Sequence, residues 1–253
     1  MAQLNSIVTY LDSLLKPGEF QDYGFNGLQL ESPRSDIRKV AFAVDAGMSV
    51  IEEAVAQDAH LLIVHHGIMW GKPEPICGPY GKKVELLLRS RCSLYASHLP
   101  LDAHSEVGNA FELGRFFELQ NLESFFEHRG KTIGAKGRFS KARELAELIE
   151  KAKSMHGSSL PLALPFGKNF IENVGIVTGS GSEALEACAR AGFDLLISGE
   201  PKHEAYHRAK ELGINALFTG HYASETFGVN ALSRRLKRDF DVEIIFIDEP
   251  SGI

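Results

Sequence analysis

The sequence is short of cysteine and of long apolar runs and has no excess of basic charge, and each shortage removes a class of explanation. Three cysteines in 253 residues, Cys77, Cys92 and Cys188, are odd in number and lack C-x-x-C spacing, which argues against both a disulfide framework and a thiolate zinc site. Lys and Arg total 27 against 33 Asp and Glu, a net charge of −6, so there is no basic footprint for a phosphate backbone and no nucleic-acid partner is expected. The one basic cluster, Arg234, Arg235, Lys237 and Arg238, reads as the solvated face of a late helix. No stretch approaches the roughly 18 uninterrupted apolar residues of a membrane span, and residues 1–16 lack the basic-then-apolar order of a signal peptide. The expectation is a protein of the reducing cytoplasm with no membrane partner.

What is present is an ordinary globular composition, 44% hydrophobic and 24% charged, in a chain long enough for one large or two modest domains. Leu4, Ile7, Val8, Leu11, Leu14 and Leu15 recur at helical spacing and predict an amphipathic helix packed on the body. Short apolar runs at 40–44, 61–65, 93–97, 174–178, 195–198, 216–219 and 242–247 then alternate with helical patterns. That alternation predicts an α/β fold with mostly parallel sheets covered by helices. The stretch 121–172 differs, with KTIGAKGRFS, a helix-like ARELAELIEKAKS and a loop LPLALPFGK, and reads as an insertion or elaboration of the second half.

The sequence also resembles itself. Residues 40–66 match 174–200 apolar for apolar without a gap, at an offset of 174 − 40 = 134. Residues 94–102 match 217–225 at an offset of 221 − 98 = 123, so that each half ends in a strand, a histidine and a carboxylate four residues later. These repeats predict two pseudo-symmetric, interlinked α/β units, the first formed by 1–105 with 220–253 and the second by 106–219 carrying the inserted segment.

Ligands of parallel α/β sheets bind outside the carboxyl ends of strands, and five potential metal ligands fall there: His65, His66, Asp102, His221 and Glu225. His65 and His66 end a strand, where adjacent side chains diverge, which suits one histidine per ion. The expected cofactor is two divalent metal ions per chain, zinc, iron or manganese, because imidazoles and carboxylates without thiolates favour borderline ions in an open site. Five protein groups leave positions for solvent, and Glu225 is a candidate bridge between ions about 3.5–4 Å apart. His98, the repeat partner of His221, is assigned to acid/base work or to support of a ligand, and Glu200, the counterpart of His66, to the same role or to a plain helix-start acid.

Two other motifs compete. His203, Glu204 and His207 spell H-E-x-x-H, the zincin pattern, but Lys210 and Gly213 occupy the positions where the extended motif places its glycine and third histidine, and the repeat puts 202–212 on a covering helix with Ala205, Ala209 and Leu212 toward the sheet. TGSGSEA at 178–184 is either a phosphate cradle or a tight strand-to-helix turn, and YGFNG at 23–27 either a substrate lip or an Asn-Gly turn.

Taken together, DYGFNGLQLE at 22–31, IVHHG at 63–67, SHLPLDAHSEVGN at 97–109, TGSG at 178–181, ISGE at 197–200 and GHYASE at 220–225 resemble the Nif3-like dinuclear metal-centre proteins, known as GTP cyclohydrolase I type 2 homologues. The resemblance implies a Nif3-like fold, a toroidal homohexamer built as a trimer of dimers, and metal ligation by His65, His66, Asp102, His221 and Glu225. It points to a dinuclear-metal-dependent hydrolase acting on a small, nucleotide-like substrate, with GTP ring opening as the specific version. The alternative is a non-catalytic metal-binding or regulatory hexamer.

Overall fold

The computed structural model describes residues 1–157 and 160–252; Ser158, Ser159 and Ile253, within the ranges 121–172, 106–219 and 220–253 considered above, lie outside the described residues. In chain order the elements are β1 (Ala2–Gln3), α1 (Leu4–Leu15), β2 (Gly27–Leu30), β3 (Asp36–Ile37), β4 (Lys39–Asp45), α2 (Met48–Ala56), β5 (Leu61–His66), α3 (Gly78–Arg89) and β6 (Ser93–Ala96). They continue with α4 (Leu99–Ala103), α5 (Asn109–Phe116), β7 (Gln120–His128), β8 (Lys131–Glu144), α6 (Leu145–Lys153), β9 (Leu162–Pro165) and β10 (Phe170–Val177). The last are α7 (Leu185–Arg190), β11 (Leu195–Ser198), α8 (Ala205–Leu212), β12 (Asn215–Phe218), α9 (His221–Asp239) and β13 (Glu243–Phe246). All seven runs singled out in the sequence are strands, and the chain is the α/β protein with parallel-rich sheets that their alternation predicts.

The chain forms two compact units, residues 1–101 with 229–249 and residues 102–228 with 250–253. The first holds a five-stranded sheet in the order β13-β4-β5-β6-β2, in which β13, β4, β5 and β6 run parallel and β2 antiparallel. Its central strands carry unbroken apolar runs, as a sheet covered on both faces requires: Val40 to Val44 and Leu61 to Val64 are all buried. Helix α1 buries Leu4, Ile7, Leu11 and Leu15, one stripe at three- and four-residue spacing, and closes with Lys16 in the left-handed region (φ 50°). Truncating one of those leucines to alanine removes about 2–5 kcal/mol.

The second unit holds a six-stranded sheet in the order β7-β8-β10-β11-β12-β9. Its centre, β10, β11 and β12, is parallel, and the flanks are antiparallel. The stretch 121–172 supplies those flanks. KTIGAKGRFS lies in the long β8, which pairs with β7 and β10, and the helical spacing of ARELAELIEKAKS is realised in α6, which buries Leu145, Leu148 and Ala152. The predicted loop LPLALPFGK instead contains β9, paired through Leu162–Pro165 with β12. Its prolines hid the strand, but β9 is an edge, where a residue without an N–H is tolerated.

The first block of the repeat holds to the residue: Val40 faces Leu61 between β4 and β5, and Val174 faces Leu195 between β10 and β11. The second block corrects the alignment. Leu61 pairs with Ser93 and Leu195 with Asn215, so the third strands are related by 215 − 93 = 122, one less than the sequence match. Helix starts agree, since α4 begins at Leu99 and α9 at His221, again 122 apart.

Candidate metal centre

In the first unit the carboxyl ends of β5 and β6 bring three imidazoles together. One donor atom from each of His65, His66 and His98 lies within 4.8 Å of the others. Ligands sharing one ion at about 2.1 Å stand at most roughly 4.2 Å apart, so small side-chain rotations would gather all three. The ring centroids of His65 and His66 are 4.6 Å apart, and His98 is 5.1 Å from His65 and 5.5 Å from His66. Adjacent strand residues were expected to diverge; His66 is the last residue of β5, and Asp45 turns its ring back toward His65.

Each imidazole is held by its Nδ1. His65, fully buried, donates to the Ser97 carbonyl at 2.9 Å, His66 to Asp45 Oδ1 at 2.7 Å, and His98 to Asp22 Oδ1 at 2.8 Å. With Nδ1 carrying the proton, the lone pair sits on Nε2, the tautomer that metal-bound histidines adopt when an oxygen orients them from behind. Burial works to raise the Asp22 carboxyl, but the His98 contact, Asn26 and the Leu99 N–H outweigh it and hold the group well below the usual carboxylate range. Asn26 also accepts the His98 backbone N–H at 2.7 Å, so YGFNG serves as a brace for His98.

In the second unit Asp102, on α4, is buried and accepts hydrogen bonds from Asn109 Nδ2 at 2.8 Å and Thr178 Oγ1 at 3.1 Å, both to Oδ1. His221 and Glu225 occupy successive turns at the start of α9 and not the strand-end loop predicted for them, because the strand hands over to the helix at Gly220. That i, i+4 spacing places His221 Nε2 3.2 Å from Glu225 Oε2, while His221 Nδ1 meets Glu200 Oε1 at 3.0 Å. Burial pushes the His221 imidazole down, but the two carboxylates prevail and raise it to about 10. Glu200 is held below the ordinary range: burial raises it, and the Ser180 hydroxyl and His221 overcome that.

The TGSG segment packs against this group. Gly179 is in the left-handed region (φ +59°), and a Cβ there would lie 2.3 Å from Glu225 Oε1 and 3.2 Å from His221 Nε2. Its N–H donates to Ser224 Oγ and that of Gly181 to Ser198 Oγ, both at 3.0 Å, so two of the amides a phosphate cradle would need are committed to the protein's own hydroxyls. The H-E-x-x-H residues form no ligand pair: α8 starts at Ala205, leaving His203 and Glu204 ahead of it, and all three side chains are exposed. Ala205 and Ala209 are buried as predicted, whereas Leu212 is 40% exposed in the last turn.

Histidine and carboxylate groups of this kind, oriented by oxygen partners and free of thiolates, fit borderline divalent ions. The residues that sequence reasoning passed over are these partners, chiefly Asp45, Asn109 and Thr178. Asp45 was findable, since parallel pairing of β4 with β5 sets it opposite His66.

Fold and side chains together thus define a parallel-rich α/β protein with built clusters of metal-type ligands. The chain matches the Duf34/NIF3 (NGG1p interacting factor 3) family over residues 2–251 and belongs to it. It is 43% identical over 250 residues to a protein of Archaeoglobus fulgidus named GTP cyclohydrolase 1 type 2 homolog, covering 99% of both chains. A protein of the same name from Pyrococcus horikoshii is 39% identical, over 98% of this chain and 99% of its own. Among solved structures, a protein from Thermus thermophilus superposes with a TM-score of 0.91 at 38% identity, over 99% of this chain and 100% of its own.

Proposed function

We propose that this protein is a dinuclear-metal-dependent hydrolase of a nucleotide-like substrate, with His65, His66, Asp102, His221 and Glu225 as ligands of two zinc, iron or manganese ions. The observation that carries the reading is the common orientation of the three histidines of the first unit, each anchored at Nδ1 by an oxygen. Such ions supply Lewis acidity and an acidified water when bound. His98, backed by the ionised Asp22, is the group placed to take and return a proton, while Glu200 orients His221 and keeps its charge at neutral pH. Asn109 and Thr178 fix the carboxylate of buried Asp102 through Oδ1, and that carboxylate is the fifth ligand of the reading. The name of the archaeal relatives supports GTP as the first substrate to try. A homohexamer working in the cytoplasm belongs to the same proposal, and a non-catalytic metal-binding or regulatory hexamer is its rival.

The test is the metal content of protein purified without chelator or immobilised nickel, beside His221→Ala and Glu225→Ala. About two ions per wild-type chain, fewer in both variants, supports the centre; none after reconstitution with zinc, iron or manganese refutes it. Turnover of GTP or related purines that Asp102→Ala abolishes supports the hydrolase. Two ions per chain without turnover of any such purine favours the rival.

A further inference from the structure

The segment that follows β5 returns over the histidines. Gly24 and Trp70 form an antiparallel bridge, flanked by Phe25 N–H to the Met69 carbonyl at 3.1 Å and Gly71 N–H to the Tyr23 carbonyl at 2.6 Å. The bridge fixes the Trp70 backbone, and the indole Nε1 donates to the Gly67 carbonyl at 2.8 Å. One side of the ring rests on Gly24, where a Cβ would come within 3.1 Å of Cζ3 and press the indole outward by a few tenths of an ångström. The ring and the His98 imidazole form a T-shaped pair, at 5.1 Å between centroids and 77° between planes, and the indole is 5.6 Å from His66. It is nevertheless 38% exposed.

A tryptophan held this way has spent its one hydrogen-bond donor on the backbone, so what it presents to solvent is a rigid π surface beside the histidines. We propose that Trp70 is a specificity residue, the surface on which a planar purine ring of the substrate stacks next to the histidine cluster. This deepens the proposed hydrolase reading and rests on it for the location of the chemistry. Stacking suits the site because every nucleobase offers a π face, and a pre-fixed indole loses little conformational freedom when one settles on it. A ring seated on Trp70 would be oriented relative to His98, the proposed proton carrier.

The chain contains one tryptophan, so its fluorescence reports on Trp70 alone. Zinc-loaded and metal-stripped protein would each be titrated with GTP, guanosine and inorganic tripolyphosphate, with binding measured independently by equilibrium dialysis and zinc by elemental analysis. Quenching by GTP and guanosine but not by tripolyphosphate is the expected result. Trp70→Ala should weaken GTP binding about 10- to 100-fold with zinc content and melting temperature kept, and Trp70→Phe should restore affinity to within about threefold. A merely structural indole would move zinc content or melting temperature and leave guanosine without effect. Bound GTP that leaves Trp70 unquenched, a Trp70→Ala variant that binds it as wild type does, or no purine binding at all overturns the proposal. Failure of the metal reading shows separately, as missing zinc, and quenching of metal-free protein by guanosine would then leave the stacking surface standing.

Discussion

Both units place an antiparallel strand, three parallel strands and a following helix in the same order, β2-β4-β5-β6-α4 and β9-β10-β11-β12-α9, yet they do different chemical work. In the first, Asp45 ends the leading strand and holds His66 at the end of the next. In the second, the equivalent residues are Gly179 (45 + 134 = 179) and Glu200 (66 + 134 = 200). The acid now follows the second strand, and the position after the first carries no side chain, so that Glu225 occupies the space a Cβ on Gly179 would need. The third position diverges as well. By ladder register His98 corresponds to Gly220, not to His221, which takes the place of Leu99 at the head of the helix. One scaffold therefore yields three imidazoles braced by oxygens in one unit and a carboxylate-rich group around a single histidine in the other.

The sharpest way to break that comparison is to refill the vacated position. Gly179→Ala forces a left-handed φ on a residue with a Cβ, costing about 1–3 kcal/mol, and drives the Glu225 carboxylate out of place. Metal content should fall by at least one ion per chain and the melting temperature should drop. Full metal content with an unchanged melting temperature would mean that Glu225 does not need its present position.

A smaller change asks whether the displaced acids do the same job. Asp45→Asn and Glu200→Gln keep the shape and remove the charge behind His66 and His221, and each should weaken zinc affinity about 10- to 100-fold against a competing chelator. Loss in only one of the two variants would show that the units do not contribute alike.

The carboxylates of the second unit should also show in its response to pH once metal is stripped. In the second, His221 is raised from an ordinary value near 6.5 to about 10, burial opposing and Glu225 and Glu200 prevailing. A raised folded-state pKa contributes stability that is complete below about pH 6.5 and is lost as pH climbs through about 10. The metal-free protein should therefore lose melting temperature between pH 7 and 10, and Glu225→Gln, lacking the strongest partner, should lose about 2–5 °C less across that interval. Parallel curves would remove His221 as the source. Because an ion must displace that proton, zinc uptake should release protons and weaken as pH falls.

The parts of the molecule legible in the sequence are those written in short-range pattern. Strand runs such as 61–66, the α1 stripe and the ungapped 134-residue offset depend on apolar periodicity, which burial enforces locally. The histidine pair and the His-x3-acid motifs drew attention for the same reason. What escaped depends on pairing between distant segments. Only the strand ladder could reveal that the offset changes to 122, and sequence matching chose 123 because it set like residues, His98 and His221, together. Asn109 and Thr178 lie in segments that the sequence does mark, but their role escaped because it rests on a contact with Asp102, in Thr178's case across 76 residues.

The smallest effect separates a motif from a site. His203, Glu204 and His207 have the letters of a zincin, but that chemistry needs both histidines one turn apart on a single helix, and α8 begins only at Ala205, its inward face taken by Ala205 and Ala209. His203 and His207 are exposed, His207 touching only the neighbouring Tyr206 ring among the described aromatic contacts, and replacing such surface side chains shifts stability by about 0.5 kcal/mol or less. The double variant His203→Ala, His207→Ala should keep the wild-type metal content and zinc affinity, with a melting temperature within about 2 °C. Loss of an ion from that variant would move the metal site to the α8 region, where the letters alone would have put it.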